Sequence, residues 1–186
     1  MDHRKISVTY STTEKLLISG TKVITVEEAW PEGSNLNVSS YTNVIPQFLT
    51  LPEQKSNQTN TLILVTSAPE NREARFKIRK TWAEQKSLEK YKIEVNFVIG
   101  VTKEDQIDIS DEIKVFSDIL IVNVIDSYMN LTLKSVFILK YLSDINGLSD
   151  NLKTVMKTDD DCYVNIQALA HLTKVGNMGK TFLGKF

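Results

Sequence analysis

Asp159, Asp160 and Asp161 stand in a row, directly after the stretch Leu152–Met156 and the pair Lys157-Thr158. Three adjacent carboxylates repel one another and cannot all leave water without a counter-charge. At the C-terminal end of a buried strand they would face the crevice where open α/β sheets bind ligands. A divalent metal carrying a phosphorylated ligand accounts for such a cluster, which makes Asp-X-Asp metal–diphosphate chemistry the expectation. The plainer alternative is a solvated turn leading into a helix cap. A calcium loop fits less well, because Tyr163 and Val164 stand where its pattern wants a ligand and a glycine.

A second group that could do chemistry lies earlier in the chain. Arg72, Arg75 and Arg79 are spaced i, i+3, i+7, which puts them on one face of a helix, with Ala74, Ile78 and Trp82 on another. Guanidinium forks bind phosphate oxygens in pairs, so this face could grip a diphosphate; otherwise it is a solvated basic face. Asp126 is expected to cap the helix that follows it, and Cys162 to be a small buried filler. His3 and His171 make poor metal ligands by position. No Ser/His/Asp or Cys/His nucleophile set is visible.

These residues need elements to hold them. From Thr61 onward strand and helix patterns alternate. Leu62–Thr66 is a continuous apolar run of the kind buried on both faces. Ser67 and Glu70 match a capping box, predicting a helix to about Lys86. The strand Val95–Gly100, a short helix over Asp111–Phe116 and the strand Ile119–Val124 follow, then a long helix from about Tyr128 to Leu142. A strand over Thr154–Lys157 precedes the acidic triplet. Asn165 is a plausible cap for a helix ending near Gly176, and Thr181–Gly184 looks like the start of another strand. Four such alternations imply a mostly parallel, right-handed, Rossmann-like sheet flanked by helices. There is no glycine-rich phosphate loop, so other groups must hold any nucleotide.

Residues 1–60 differ in texture. They are rich in Ser, Thr and Asn and hold Pro31, Pro46 and Pro52, with only short alternations at Ile6–Tyr10 and Lys22–Val26. They read as a poorly ordered, stem-like lead-in to a domain over residues 61–186. The formal net charge of −1 gives no electrostatic case for nucleic acid or an anionic membrane. No apolar run approaches the roughly 18 residues of a membrane span. One cysteine allows no intrachain disulfide. Sequons at Asn37, Asn57 and Asn130 are candidate glycan acceptors, the first two more so, since Asn130 falls at an expected helix start.

Four ordered blocks carry a family resemblance. Ser67-Ala68-Pro69 with Arg75 and Ile78-Arg79-Lys80-Thr81-Trp82 resembles the S-x-P … R-x-A-I-R-x-T-W signature of the β-1,3-galactosyl/N-acetylglucosaminyltransferases, glycosyltransferase family 31. Phe97–Gly100 is similar to that family's F-x-x-G strand. Glu112, Phe116–Leu120 and Asp126–Lys134 resemble its E-x-x-x-[YF]-x-D-I-L … D-S-Y-x-N-L-T-L-K block, and Lys157–Asp161 its K-x-D-D-D metal motif. Lys77 departs from the pattern, which usually has Ala there. The resemblance implies a GT-A fold and a Golgi membrane enzyme facing the lumen. Its reaction would move galactose or N-acetylglucosamine from a UDP-sugar to a glycan acceptor on glycoprotein or glycolipid, in β-1,3 linkage with inversion. By the same resemblance Asp161 would ligate Mn²⁺ (or Mg²⁺), Asp159 and Asp160 would contact the ribose and organise the metal loop, and Lys157, Arg75 and Arg79 would help hold the nucleotide.

In that family the general base lies in an E-D-V-like block well downstream of the metal motif, so it is expected beyond Phe186, the last residue of the sequence. No catalytic residue is therefore assigned up to Phe186, and the GT-A sheet is expected to be incomplete at its C-terminus. The membrane anchor is likewise expected outside the sequence. The alternative is a non-catalytic UDP- and metal-binding or interaction protein derived from such an enzyme.

Overall fold

A computed structural model describes residues 47–53, 56, 58–102, 108–145 and 151–175. The expected strands at Ile6–Tyr10, Lys22–Val26 and Thr181–Gly184, the residue His3 and the sequons at Asn37 and Asn57 lie outside the described residues. So do nearly all of the expected lead-in and the chain end at Phe186. The expectation of a general base beyond Phe186 is accordingly one that the described residues, which end at position 175, do not reach.

The apolar runs form the centre of a five-stranded sheet: β1 Phe48–Thr50, β2 Thr61–Thr66, β3 Ile93–Val101, β4 Ile119–Ile125 and β5 Thr154–Asp159, in the order β1-β4-β3-β2-β5. β2 pairs in parallel with β3 and β5, and β3 with β4, while β1 adds antiparallel to β4. The helices are α1 Arg72–Lys80, α2 Gln85–Tyr91, α3 Ser110–Phe116, α4 Leu131–Ile145 and α5 Ile166–Val175, with a 3₁₀ turn at Tyr128–Asn130.

Side-chain alternation splits the core into two layers. Ile63, Val65, Val95, Phe97 and Ile99 face Ile78, Trp82 and Leu88 of the α1–α2 region and Ile166 and Ala170 of α5. Leu62, Leu64, Val98, Leu120 and Val122 face Leu133, Phe137 and Tyr141 of α4. Each such fully buried side chain contributes about 1.5–3 kcal/mol of transfer free energy. Helices on both faces oblige the central strands to be apolar throughout, and every residue of β2 is buried.

Four expectations need correction. The first helix starts at Arg72, not after Ser67, and Asn71 stands at its N-terminus with no side-chain cap bond. The Ser67 hydroxyl serves the acidic loop instead, donating to Asp160 Oδ2 at 2.7 Å. That helix also ends at Lys80. Trp82 is buried against the sheet with Nε1 donating to Cys162 O at 3.2 Å, and α2 starts anew at Gln85.

β5 is an edge strand among the described residues. Its burial alternates, and its register with β2 puts Val155, Lys157 and Asp159 on the face shared with Leu62 and Leu64, where they are exposed. Asp126 caps no helix: its Oδ2 accepts from Gly100 N at 2.8 Å and pairs with Lys134 Nζ at 2.8 Å. β1 lies where only a lead-in was expected. Asn165 does cap α5, its Oδ1 accepting from Ala168 N at 2.9 Å.

Candidate functional site

Parallel pairing brings the C-terminal ends of β2, β4 and β5 to one rim of the sheet. Thr66 is in register with Asp159, so the loop after β2 and the acidic loop after β5 leave the sheet side by side. Asp160 N extends the pairing by donating to Thr66 O at 3.1 Å. The loop after β4 joins through Lys134. This buried ammonium donates to Ser67 O at 2.7 Å and pairs with Asp126.

The three carboxylates have different surroundings. Asp159 Oδ1 accepts from the Thr66 hydroxyl and lies 3.5 Å from Lys157 Nζ. Asp160 Oδ2 accepts from Ser67 Oγ at 2.7 Å and from Asn71 Nδ2 at 2.9 Å. Asp161 is exposed, and among the described residues its carboxylate receives only the weak thiol donor of Cys162, at 3.4 Å. An open hollow of about 530 Å³ adjoins them, lined by Asn71, Lys77, Trp82, Asp160, Asp161 and Tyr163 among others. Cys162 is exposed and not the buried filler expected of it, because its backbone carbonyl, not its side chain, is the part that packs inward on Trp82.

Among the described residues no three His, Cys, Asp or Glu side chains converge into a group that would cage a metal ion. The donor set fits a different mode. Hard divalent cations such as Mg²⁺ are commonly held by one or two carboxylates, with diphosphate oxygens and water filling the remaining positions. Among the described residues Asp161 meets no N–H or O–H donor and suits the first of these, and Asp159 Oδ2 faces no donor there either.

Arg75 and Arg79 do not grip a diphosphate. Arg75 is wholly buried and uses its guanidinium fork inside the protein. Nε and Nη2 donate to Glu112 at 2.9 and 2.7 Å, Nη1 to Ser67 Oγ at 3.0 Å and to Ala68 O, and Nη2 to Pro69 O at 3.2 Å. With five N–H groups and five acceptors, nothing remains for a ligand.

Arg79 donates to both oxygens of Asp118 and to Glu112, with its guanidinium 4.6 and 4.0 Å from the ring centroids of Phe97 and Phe116. Burial alone would push the Glu112 carboxyl up. The hydrogen bonds from Arg75 and Arg79 outweigh it and hold the group below the usual carboxylate range. For Arg79 burial pulls down, and the bonds to Asp118 and Glu112 reverse the sign and raise it. The helical spacing identified the shared face correctly; that face meets buried acids of α3 and the turn before β4, not solvent. Arg72 stays 60% exposed, 4.0 Å from Glu112.

The residues that sequence reasoning missed are Ser67, Asn71, Thr66 and Lys134, which brace the rim. Ser67 and Asn71 lie 93 and 89 positions from Asp160, and only the strand register reveals the contact. Lys134 stood within a recognised block but with no role attached. Asn130 is buried and its Nδ2 donates to Ile125 O at 2.8 Å, so a glycan on that nitrogen would break the turn.

Comparison with known proteins agrees with this architecture. The chain is 36% identical over 129 residues to UDP-GalNAc:beta-1,3-N-acetylgalactosaminyltransferase 1 of Homo sapiens, covering 66% of this chain and 38% of that protein. It is 37% identical over 109 residues to Beta-1,3-galactosyltransferase 4 of Mus musculus, covering 58% of this chain and 29% of the relative. To Beta-1,3-galactosyltransferase 1 of the same organism it is 31% identical over 112 residues, 59% of this chain and 33% of the relative. The chain thus spans well under half the length of these curated relatives. The family model described as Galactosyltransferase matches residues 73–185, more than half of the 186. The chain belongs to the galactosyltransferase family.

Proposed function

We propose that the rim formed by the loops after β2 and β5 binds the diphosphate of a UDP-sugar together with Mn²⁺ or Mg²⁺. It would serve as the donor side of a hexosyltransferase that moves galactose or an N-acetylhexosamine to a glycan acceptor in β-1,3 linkage with inversion. The observation that carries the reading is the unequal bracing of the acidic turn: Asp160 is held from two sides, whereas Asp161 beside it is exposed and, among the described residues, unengaged by any N–H or O–H. A carboxylate left open next to a fixed one, beside a hollow, is what a metal–diphosphate site needs.

In this reading Asp161 holds the ion, Asp159 and Asp160 shape the loop and meet the ribose, and Lys157, half-exposed beside Asp159, adds positive charge. A bound divalent cation offsets the negative charge that builds on the departing UDP. Arg75 and Arg79 act behind the site and touch no ligand. Inverting transfer also requires a base for the acceptor hydroxyl. The reading gives that role to none of the described residues. A Golgi lumenal setting and a glycoprotein or glycolipid acceptor belong to the same proposal. No helix among the described residues is long and apolar enough to cross a membrane.

Isothermal titration of the chain with UDP, in Mn²⁺ and then in a chelator, tests it. Binding in the micromolar to millimolar range that vanishes with the chelator is the expected result. Metal-independent binding, or none, overturns the reading. Binding without sugar transfer from UDP-galactose or UDP-N-acetylhexosamines would leave a nucleotide-binding module in place of a transferase.

A further inference from the structure

We infer that Arg75 is a positioning residue for the acidic loop, acting through Ser67 on Asp160 with Glu112 as its anchor. The inference rests on the reading of the triplet as the donor site. A guanidinium can only donate and an ionised carboxylate can only accept, so the chemistry of the two ends fixes the direction of every bond between them. Glu112 accepts from Arg75 Nε and Nη2, and Arg75 Nη1 donates to Ser67 Oγ at 3.0 Å. The Ser67 hydroxyl, with a lone pair already taken by the guanidinium, turns its single proton to Asp160 Oδ2 at 2.7 Å. Without Arg75 the same hydroxyl could rotate toward Ala68 O, 3.4 Å away. Donation from a cation also polarises the hydroxyl and strengthens the bond it gives.

The consequence reaches the geometry of the site. Arg75 ties down the carbonyls of Ala68 and Pro69 as well, so the loop after β2 cannot shift without breaking its bonds. Asn71 Nδ2 converges on the same Oδ2 of Asp160, which leaves Oδ1 of that residue clear of donors among the described residues. The carboxylate is therefore held in one orientation by two donors on a single oxygen. A buried ion pair between α1 and α3 thus sets the aim of a carboxylate in the loop after β5. Side-chain placement is a property of this relay and not of the acidic loop alone, most of whose residues are exposed.

The test compares the full chain with Ser67→Ala, Arg75→Lys and the double variant. Two readouts are taken: amide hydrogen exchange over 66–72 and 158–163 in the absence of metal and nucleotide, and affinity for UDP in Mn²⁺. Ser67→Ala should speed exchange in both segments, leave the β2–β3 core protected, and weaken UDP affinity about tenfold, the scale of one charge-assisted hydrogen bond. Arg75→Lys should weaken binding similarly, and the double variant should be no weaker than the more affected single variant.

Unchanged exchange and affinity in Ser67→Ala overturns the inference, as do additive losses in the double variant, which would mean that Arg75 acts by another route. Should Arg75→Lys fail to fold, Ser67→Ala decides alone. If the unaltered chain binds no UDP while exchange responds as expected, the donor-site reading falls and the relay stands. If UDP binds and Ser67→Ala changes nothing, the reverse holds.

Discussion

Asp161 is exposed and, unlike its two neighbours, receives no N–H or O–H donor among the described residues, so its replacement costs little in folding and much in any chemistry that needs its charge. Asp161→Asn keeps the size of the side chain and removes one negative charge. Its melting temperature should match that of the unaltered chain. Its affinity for Mn²⁺, read by the loss of free Mn²⁺ signal in electron paramagnetic resonance with UDP present, should fall at least about tenfold to a hundredfold, the range for disturbing a metal's surroundings. Unchanged affinity would move the ion elsewhere. The triplet itself was legible because three adjacent acids are costly unless something uses them. The arginines were legible only as a face. Whether that face meets water or protein depends on Glu112, 37 positions from Arg75 and 33 from Arg79. No local spacing carries that information, so a phosphate grip and a buried ion-pair network read alike.

Elements were readable where burial on both sides dictates composition. β2, β3 and β4 are continuous apolar runs because helices cover both faces. β5 reads less clearly, being shielded on one side only, and β1 is three residues close to prolines. The division of the first helix was hidden, since Trp82 and Ala83 continue the helical period while the backbone breaks to bury them. Gly100 shows what a strand position can encode. A Cβ there would lie 2.5 Å from Val124 O and 3.0 Å from Asp126 N, where β3 and β4 change register. Both contacts are backbone, so neither can swing aside. Gly100→Ala should therefore push β4 away, break the bond from Gly100 N to Asp126 and lower stability by about 2 kcal/mol. For a chain of this size that is a fall of about 4–8 °C in melting temperature by circular dichroism. An unchanged melt would show that the two strands yield more easily than their pairing suggests.

At the scale of the molecule, the sheet is clasped on one face by α4 and on the other by α1, α2 and α5, and the α3 acid Glu112 meets two arginines of α1 in the dry interior. Such a pair is costly to assemble and costlier to halve. Its pH behaviour follows from the direction of the Glu112 shift. The group sits below the usual carboxylate range in the folded protein, so between the folded and unfolded pKa values the unfolded chain binds more protons. Its stabilising contribution is then fully present above about pH 4.3, the ordinary glutamate value, and is lost as pH falls through the lower folded value. Glu112→Gln leaves Arg75 without its carboxylate and Arg79 with Asp118 alone. At pH 7 it should cost about 3–5 kcal/mol, or roughly 10 °C in melting temperature. Because the native glutamate forfeits its advantage in acid, the gap between the two proteins should hold above about pH 4.3 and narrow as the pH falls from there toward 3. A gap that stays constant over that range would mean that the buried pair does not couple proton binding to folding.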